Sequence, residues 1–367
     1  MTEAVYLQIE ALDTLMFRDG RPFNQADAGA SEATSVFPPH PPSVVGAIRA
    51  ALWRFLGGWD ETRLGDGTNW QDPATNLGPL RFAAPVVHFR NTLVFPAPMH
   101  LVKDGEGHST RLLPGPPLQC DLGTVRLPIP EEPLEGFKGA EDVWLTSRGL
   151  EAVLAGGMPA QDDWVAIEEI WQLESRVGIG IDTSTRRTDT TKDAGGRLYM
   201  ASHVRLSGSA SLIVGYSGWN GASPFSESGG LIPFAGEHRM AGIVPVDAPP
   251  ALPKAPRMLP QHDGKTLYTA YLLSPCVLDG LGEVEASLKG SVVSACLGKA
   301  EPIGGWDSQS RCPVALRPAL PAGSIWFMES DEPPEEILAL HGSHIGLAPE
   351  WGFGQVMIGA WEDKRLS

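Results

Sequence analysis

Basic residues are scarce in this chain. Lys and Arg number 28 against 44 Asp and Glu, a net charge of −16, and this balance excludes the broad phosphate-neutralising surface of a non-specific nucleic-acid binder. Cysteine is equally sparse: Cys120, Cys276, Cys296 and Cys312 lie far apart with no C-x-x-C pair, so neither a zinc pattern nor a disulfide framework is expected. No apolar run reaches the roughly 18 residues of a membrane-spanning helix. The first ten residues lack a basic stretch followed by an apolar one, so no signal peptide is expected and the protein reads as cytoplasmic. No Gly-x-Ser-x-Gly elbow occurs. Trp351-Gly-Phe-Gly-Gln355 is not followed by the Lys-Ser/Thr of a phosphate-binding loop. His341 and His344 have no third partner at ligand spacing, so no metal, no cofactor and no catalytic residue are expected.

What is abundant is glycine and proline. Their 42 and 33 residues make about a fifth of the chain, against an average near 12%, which points to tight turns and long shaped loops rather than helical bundles. At 367 residues the chain exceeds the usual size of one hydrophobic core, so two domains are expected. The acidity is also uneven. Residues 131–174 carry 11 acids against Lys138 and Arg148, and residues 328–350 carry six acids with no Lys or Arg. These stretches face either solvent or a basic partner, and the rest of the chain is close to neutral. Residues 176–205 hold six basic residues against Asp182, Asp189 and Asp193.

The pattern predicts a first strand over 5–12, a long punctuated loop over 13–42, and a helix capped by Ser43. In that helix Val44, Val45, Ile48, Leu52 and Phe55 recur at helical spacing up to Gly57-Gly58. Strands follow at 80–87 and 92–98 around a turn at 89–91. Thr146 caps a second helix over 147–155, and 164–173 fits either helix or strand. This order, strand, helix, two strands, helix, strand, is that of a ferredoxin-like unit. Beyond 196 strand-like runs dominate (198–206, 211–216, 237–246, 266–273, 291–297, 324–328), with a short helix at 334–340 and a last strand at 355–361. The expected class is α+β, with domains over 1–195 and 196–367, long insertions and a β-rich C-terminal half.

Three segments carry candidate chemistry. Residues 13–23 (DTLMFRDGRPF) with 37–46 (FPPHPPSVVG) form a rigid loop before a helix. There the N–H groups of Val44, Val45 and Gly46 beside Ser43 suit a phosphate, with Arg18, Arg21 and Arg49 adding charge. The competing reading is a structural loop whose arginines pair with Asp13, Asp19 or Asp27. The second segment runs from Arg176 through Gly178 to Arg197 and Tyr199: strand, polar excursion, strand. It projects Arg186, Arg187, Lys192 and Arg197 toward a phosphate chain, or else is merely a hairpin tip. The third, Gly352-Phe353-Gly354, brings glycine backbone and a ring close to RNA, or simply turns the chain into its last strand.

At these residues the sequence resembles the third-subunit family of the Cmr complex, the type III-B CRISPR effector, within the RAMP superfamily. The resemblance rests on 13–23, Phe37-Pro38-Pro39 with Val45-Gly46 and Arg49, 176–179 with Thr185 and 196–199, 235–239 (AGEHR), 303–307 (IGGWD) and 321–324 (PAGS), while the 352–354 loop is generic to the superfamily. It implies two ferredoxin-like (RRM-like) domains and a non-catalytic ribonucleoprotein subunit in antiviral defence. It also implies a β-hairpin thumb near 181–197 and a grip on the 5′ tag of the crRNA. The implied partners are the crRNA, the large polymerase-like subunit and the backbone RAMP subunit, with no membrane. Ala235 stands where the family commonly has glycine. The alternative within the superfamily is a metal-independent endoribonuclease using His40 or His203 as acid/base.

Overall fold

The computed structural model describes residues 4–19, 32–67, 69–72, 77–121, 123–133, 135–179, 181–182, 184–188, 198–220, 225, 229–247, 251–307 and 310–363. Of the described residues 44% are strand and 16% helix, as an α+β protein with a glycine- and proline-rich sequence should be.

In chain order the principal elements begin with β1 (Val5–Ala11), α1 (Pro41–Leu56), β2 (Val86–Phe89) and β3 (Thr92–Pro96). Next come β4 (Ser109–Cys120), β5 (Gly123–Pro130), β6 (Val143–Thr146), α2 (Ser147–Leu154) and β7 (Trp164–Ala166). They are followed by β8 (Trp171–Ile179), β9 (Leu198–Leu206), β10 (Ala210–Ser217), β11 (Gly230–Pro233) and β12 (Met240–Val246). The remainder is β13 (Lys265–Leu272), α3 (Leu281–Leu288), β14 (Ser291–Cys296), β15 (Glu301–Asp307), β16 (Cys312–Ala319), β17 (Ile325–Ser330), α4 (Pro334–Leu338) and β18 (Val356–Ala360).

A nine-stranded sheet runs β7-β6-β3-β2-β10-β1-β12-β11, with the short Arg81–Phe82 strand also on β10. In β1 the period of two turns Leu7 and Ile9 inward. The β2–β3 hairpin turns on Arg90 and Asn91, both at positive φ (47° and 66°), the backbone of a two-residue hairpin that follows strand twist. On one face α1 buries Val44, Val45, Ile48 and Leu52. Phe55, expected on the same stripe, is half exposed. The helix ends where Gly57 adopts a left-handed φ of 70°. Thr146 caps α2 by accepting the Gly149 N–H, and the ambiguous 164–173 segment resolves into strand β7, one helical turn at Ile167–Ile170, and the start of β8.

A second sheet runs β18-β13-β17-β14, with Gln261–His262 pairing the start of β13 on the same edge as β18. One face packs against the first sheet: Phe95, Leu145, Ile213, Tyr271, Phe327 and Met357 share one core, and the Tyr271 hydroxyl donates to the Pro96 carbonyl at 2.9 Å. The opposite face is covered by α3 and α4 through Val284, Leu288 and Ile337. Strands β9 to β12, expected in a second domain, pair within the first sheet and the ribbon beside it, so the sheets divide between Val246 and Gln261 rather than at 195/196.

Two long hairpins were not foreseen, β4–β5 and β15–β16. Proline inside a strand removes a ladder donor. Here Pro114, Pro116, Pro117, Pro128, Pro302, Pro313 and Pro318 sit in the hairpin portions of their strands, clear of the pairing of Ser109–Arg111 with Leu101–Lys103, and each hairpin has a register shift.

Candidate nucleic-acid interface

Beside the first sheet β8 and β9 form a ribbon, paired antiparallel from Trp171↔Leu206 to Ile179↔Leu198. Its root is aromatic: the Trp171 ring lies 4.9 Å from Phe37 and 5.2 Å from Trp144. The pleat gives it two different faces. Leu173, Val177, Ile179 and Met200 are exposed on one. The other carries Glu174, Arg176 and Arg205, and there Tyr199 crosses to Gly178, where a Cβ would stand 2.1 Å from the ring. Gly178 is therefore required by an aromatic neighbour. The outer edge of β9 holds a parallel pairing with Glu32–Ala33. Beyond the ribbon, Ile181–Asp182 pairs with Arg187–Thr188 in a small hairpin whose Arg186 has φ 53°, and Arg186 and Arg187 are both exposed.

A polar cluster stands against the charged face. Asp13, on the loop that leaves β1, accepts from Arg176 Nη2 at 3.4 Å, Arg205 Nη2 at 3.4 Å and Arg239 Nη1 at 3.0 Å. Glu174 accepts from Arg205 Nε at 2.6 Å and Arg176 Nε at 2.9 Å. Hydrogen bonding from the Thr14 backbone, with the arginines nearby, holds the Asp13 carboxyl below its ordinary pKa. The two arginines do the same to Glu174. Beneath them His203 is fully buried, its Nδ1 3.1 Å from Thr14 Oγ1 and its Nε2 3.1 Å from Glu237. Burial and the Arg239 charge push its pKa down, so the ring is neutral. The turn carrying Glu237 and Arg239 has left-handed backbone at Ala235 (φ 78°), Glu237 and His238, so three residues with a Cβ occupy a backbone region that favours glycine.

The expected anion site at the start of α1 lacks its donors. The helix begins at Pro41, two residues before the predicted cap, with His40 as N-cap. Pro41 and Pro42 have no N–H, and Ser43 N–H bonds the His40 carbonyl at 3.0 Å. The N–H groups of Val44, Val45 and Gly46 therefore fall within the helical ladder. Ser43 and Gly46 are exposed, while the Val44 and Val45 side chains are core.

Arg49 points inward. Its guanidinium donates to the carbonyls of Gly67, Leu64 and Gly65 and lies 5.0 Å over the Trp59 ring. Burial lowers its pKa to about 10, so it stays charged while serving as a buried backbone clamp instead of a phosphate contact. Arg18 is exposed beside an isolated bridge to Ser35. Arg21, Lys192 and Arg197 lie outside the described residues.

The Gly352-Phe353-Gly354 loop is also interior. Phe353 is fully buried and stacks on Trp70 at 4.7 Å. At Gly352 (φ 90°) and Gly354 (φ 64°) a Cβ would meet Ala83 O at 2.8 Å and Ile345 O at 1.9 Å. The loop lets backbone approach protein backbone, and it fastens the end of the second sheet to the first. His344 and His341 serve the same region, His344 Nδ1 lying 2.7 Å from the Phe353 carbonyl and His341 accepting the Ile358 N–H.

Sequence reasoning missed Arg205 and Arg239 as partners of Arg176, and expected Asp13 to pair with arginines of its own loop. The usable signal was the 235–239 block, whose Arg239 reaches Asp13. A further polar group escaped notice: Asp104, Glu106 and His108 meet on a turn. There Asp104 accepts the N–H groups of Glu106 and His108 and pairs with the His108 ring at 2.8 Å, which closes the turn. Among the described residues no helix is long and apolar enough to cross a membrane.

Fold and site together define a class: a β-rich α+β protein of two packed antiparallel sheets, with an arginine-bearing ribbon standing out from an acidic body. The sequence profile described as CRISPR-associated protein (Cas_Cmr3) matches residues 7–361, and the chain belongs to that family. In fold it is similar to a chain of the type III-B Cmr-beta assembly bound to cognate target RNA and AMPPnP (TM-score 0.50, 17% identity, covering 88% of this chain and 86% of that one). It also matches a chain of Cmr-beta bound to cognate target RNA (TM-score 0.49, 18% identity, 88% and 86% covered). No curated protein matches the sequence.

Proposed function

We propose that this chain is a structural crRNA-binding subunit of a type III CRISPR effector complex, holding the 5′ tag of the crRNA and docking the large polymerase-like and backbone subunits. Family membership supports the setting. The observation that carries the RNA contact is the ribbon: its charged face and the exposed Arg186 and Arg187 form a projecting basic edge on a chain of net charge −16. Backbone-tracking contacts of this kind position a single strand without reading its bases.

In this reading both sheets are ferredoxin-like units. In the second, β13-α3-β14-β17-α4-β18 carries the spatial order fourth, first, third, second. In the first, β1, β2, β10 and β12 stand in the same order, with 90–209 inserted between the second and third strands. A non-catalytic role accords with the histidines: His203 is sealed from any phosphodiester, and His40 faces Glu301 at 3.5 Å.

The test is to assemble the complex with and without this chain and sequence the co-purifying small RNA after nuclease treatment. A protected common 5′ tag that requires this chain is expected. Equal protection in its absence would sink the reading, and chelator-resistant cleavage of a repeat RNA by the purified chain, lost in His40→Ala, would favour the endoribonuclease instead.

A further inference from the structure

Three guanidiniums from three separate segments converge on one exposed carboxylate, which is more cation than a surface carboxylate needs. Arg176 comes from β8, Arg205 from β9 and Arg239 from the 235–239 turn, and all reach Asp13 within 3.4 Å. The site is open: the Asp13 and Arg205 side chains are about half exposed (48% and 49%) and those of Arg176 and Arg239 are 31% and 21% exposed. Glu174 holds Arg176 and Arg205 from the other side, so these two remain oriented if Asp13 leaves. Asp13 lies beyond the end of β1, and its side chain can rotate into solvent without breaking a sheet bond.

A carboxylate and a phosphodiester present the same thing to a guanidinium: two geminal oxygens sharing one negative charge. A phosphate in place of Asp13 therefore presents the same charge and the same pair of acceptor oxygens to Arg239 and Arg205, with the displaced carboxylate turned to solvent beside it. From this geometry we infer that Arg176, Arg205 and Arg239 form a phosphate site for the RNA backbone, and that Asp13 is a built-in phosphate mimic that fills it until RNA displaces the carboxylate. This rests on the RNA-binding reading above and adds to it two contact residues, Arg205 and Arg239, and an internal competitor. A mimic of this kind keeps three arginines paired on an acidic chain and sets a threshold against loosely bound anions.

The experiment uses the full chain and a fluorescein-labelled single-stranded RNA of about 12 nucleotides, with anisotropy titrations between about 50 and 200 mM salt. Asp13→Asn, isosteric and uncharged, is expected to tighten binding about 3- to 10-fold by removing the competitor. Arg205→Ala and Arg239→Ala are each expected to weaken it about 5-fold or more and to lower the log–log salt slope by about 0.7. Unchanged or weaker binding by an Asp13→Asn chain that melts like wild type overturns the mimic. If that variant does not fold, Arg205→Ala decides alone, and wild-type affinity and slope in it overturn the site. A wild-type chain with no salt-dependent RNA binding defeats the RNA-binding reading itself. Wild-type binding with unresponsive variants defeats only the phosphate site.

Discussion

Two regions of this molecule combine arginine with glycine and use them in opposite ways. At Arg49 and the 352–354 loop, the guanidinium donates to protein carbonyls and the glycines admit protein backbone, Ala83 and Ile345, at distances no Cβ permits. On the ribbon, Arg176 and Arg205 meet carboxylates at a solvent-open face, and Gly178 makes room for the Tyr199 ring. What separates the two is the company the residues keep. Arg49 lies between α1 and the 64–67 loop, where unpaired carbonyls need a donor. The ribbon arginines stand on strands with water on one side. An interior cation is held by stability, an exterior one by function, and variants should divide along that line.

The largest effect is expected at Phe353, which loses its stacking on Trp70 and leaves a cavity in a sealed core. Phe353→Ala should cost about 3–5 kcal/mol in chemical denaturation, with RNA affinity per folded molecule unchanged. A loss of RNA affinity without a loss of stability would return the loop to the interface.

Next comes Arg49→Ala, which orphans carbonyls of Leu64, Gly65 and Gly67, at about 2–3 kcal/mol. Since Arg49 lies in the body and not on the ribbon, the same variant should leave the salt slope of RNA binding intact. A smaller slope would make Arg49 a phosphate contact after all.

A third, smaller effect sharpens the interior side of the comparison. His100 is buried in the core near Arg111, and burial, with that charge second, pushes its pKa down to about 3. Its folded pKa lies below the unfolded value near 6.5, so its contribution is complete above that value and is lost as pH falls. Between pH 7 and pH 5 this amounts to about 2 kcal/mol. His100→Leu should flatten that part of the stability–pH curve, and an identical curve in the variant would exclude His100 as its cause. His203, also depressed and neutral, adds in the same direction.

Much of the scaffold was legible because it follows period and punctuation. Val44, Val45, Ile48 and Leu52 mark one face of α1, Gly57 ends it, Thr146 caps α2, and Leu7 and Ile9 alternate on β1. The proline-bearing hairpins were not, because proline argues against strands in general and only their pairing with each other makes them tolerable. The start of α1 was misplaced by three residues because Ser43 is the better capping side chain, whereas Pro41 and Pro42 have the φ of a first turn and move the cap back to His40. For the site, local sequence gave Arg176, Gly178, Arg186 and Arg187 their place on a projection. The convergence of Arg205 and Arg239 on Asp13 joins positions more than 160 residues from it in sequence, and no local rule reports such a meeting. Nor does any local rule separate an arginine that will clamp carbonyls from one that will face solvent.

The exterior side is tested by the variant with the least effect on the fold. Arg186 and Arg187 are exposed at the tip hairpin, where a left-handed φ of 53° at Arg186 forms the turn. Alanine at both positions removes two charges and no packing, so the melting temperature should not move. In the assembled complex, retention of crRNA should nevertheless fall, with a salt slope lower by about 1.4 if both contact phosphate. Arg187→Ala alone should give about half of that change. Full crRNA retention by the double variant, at unchanged stability, would leave the tip a turn on the surface and confine the RNA contact to the arginines around Asp13.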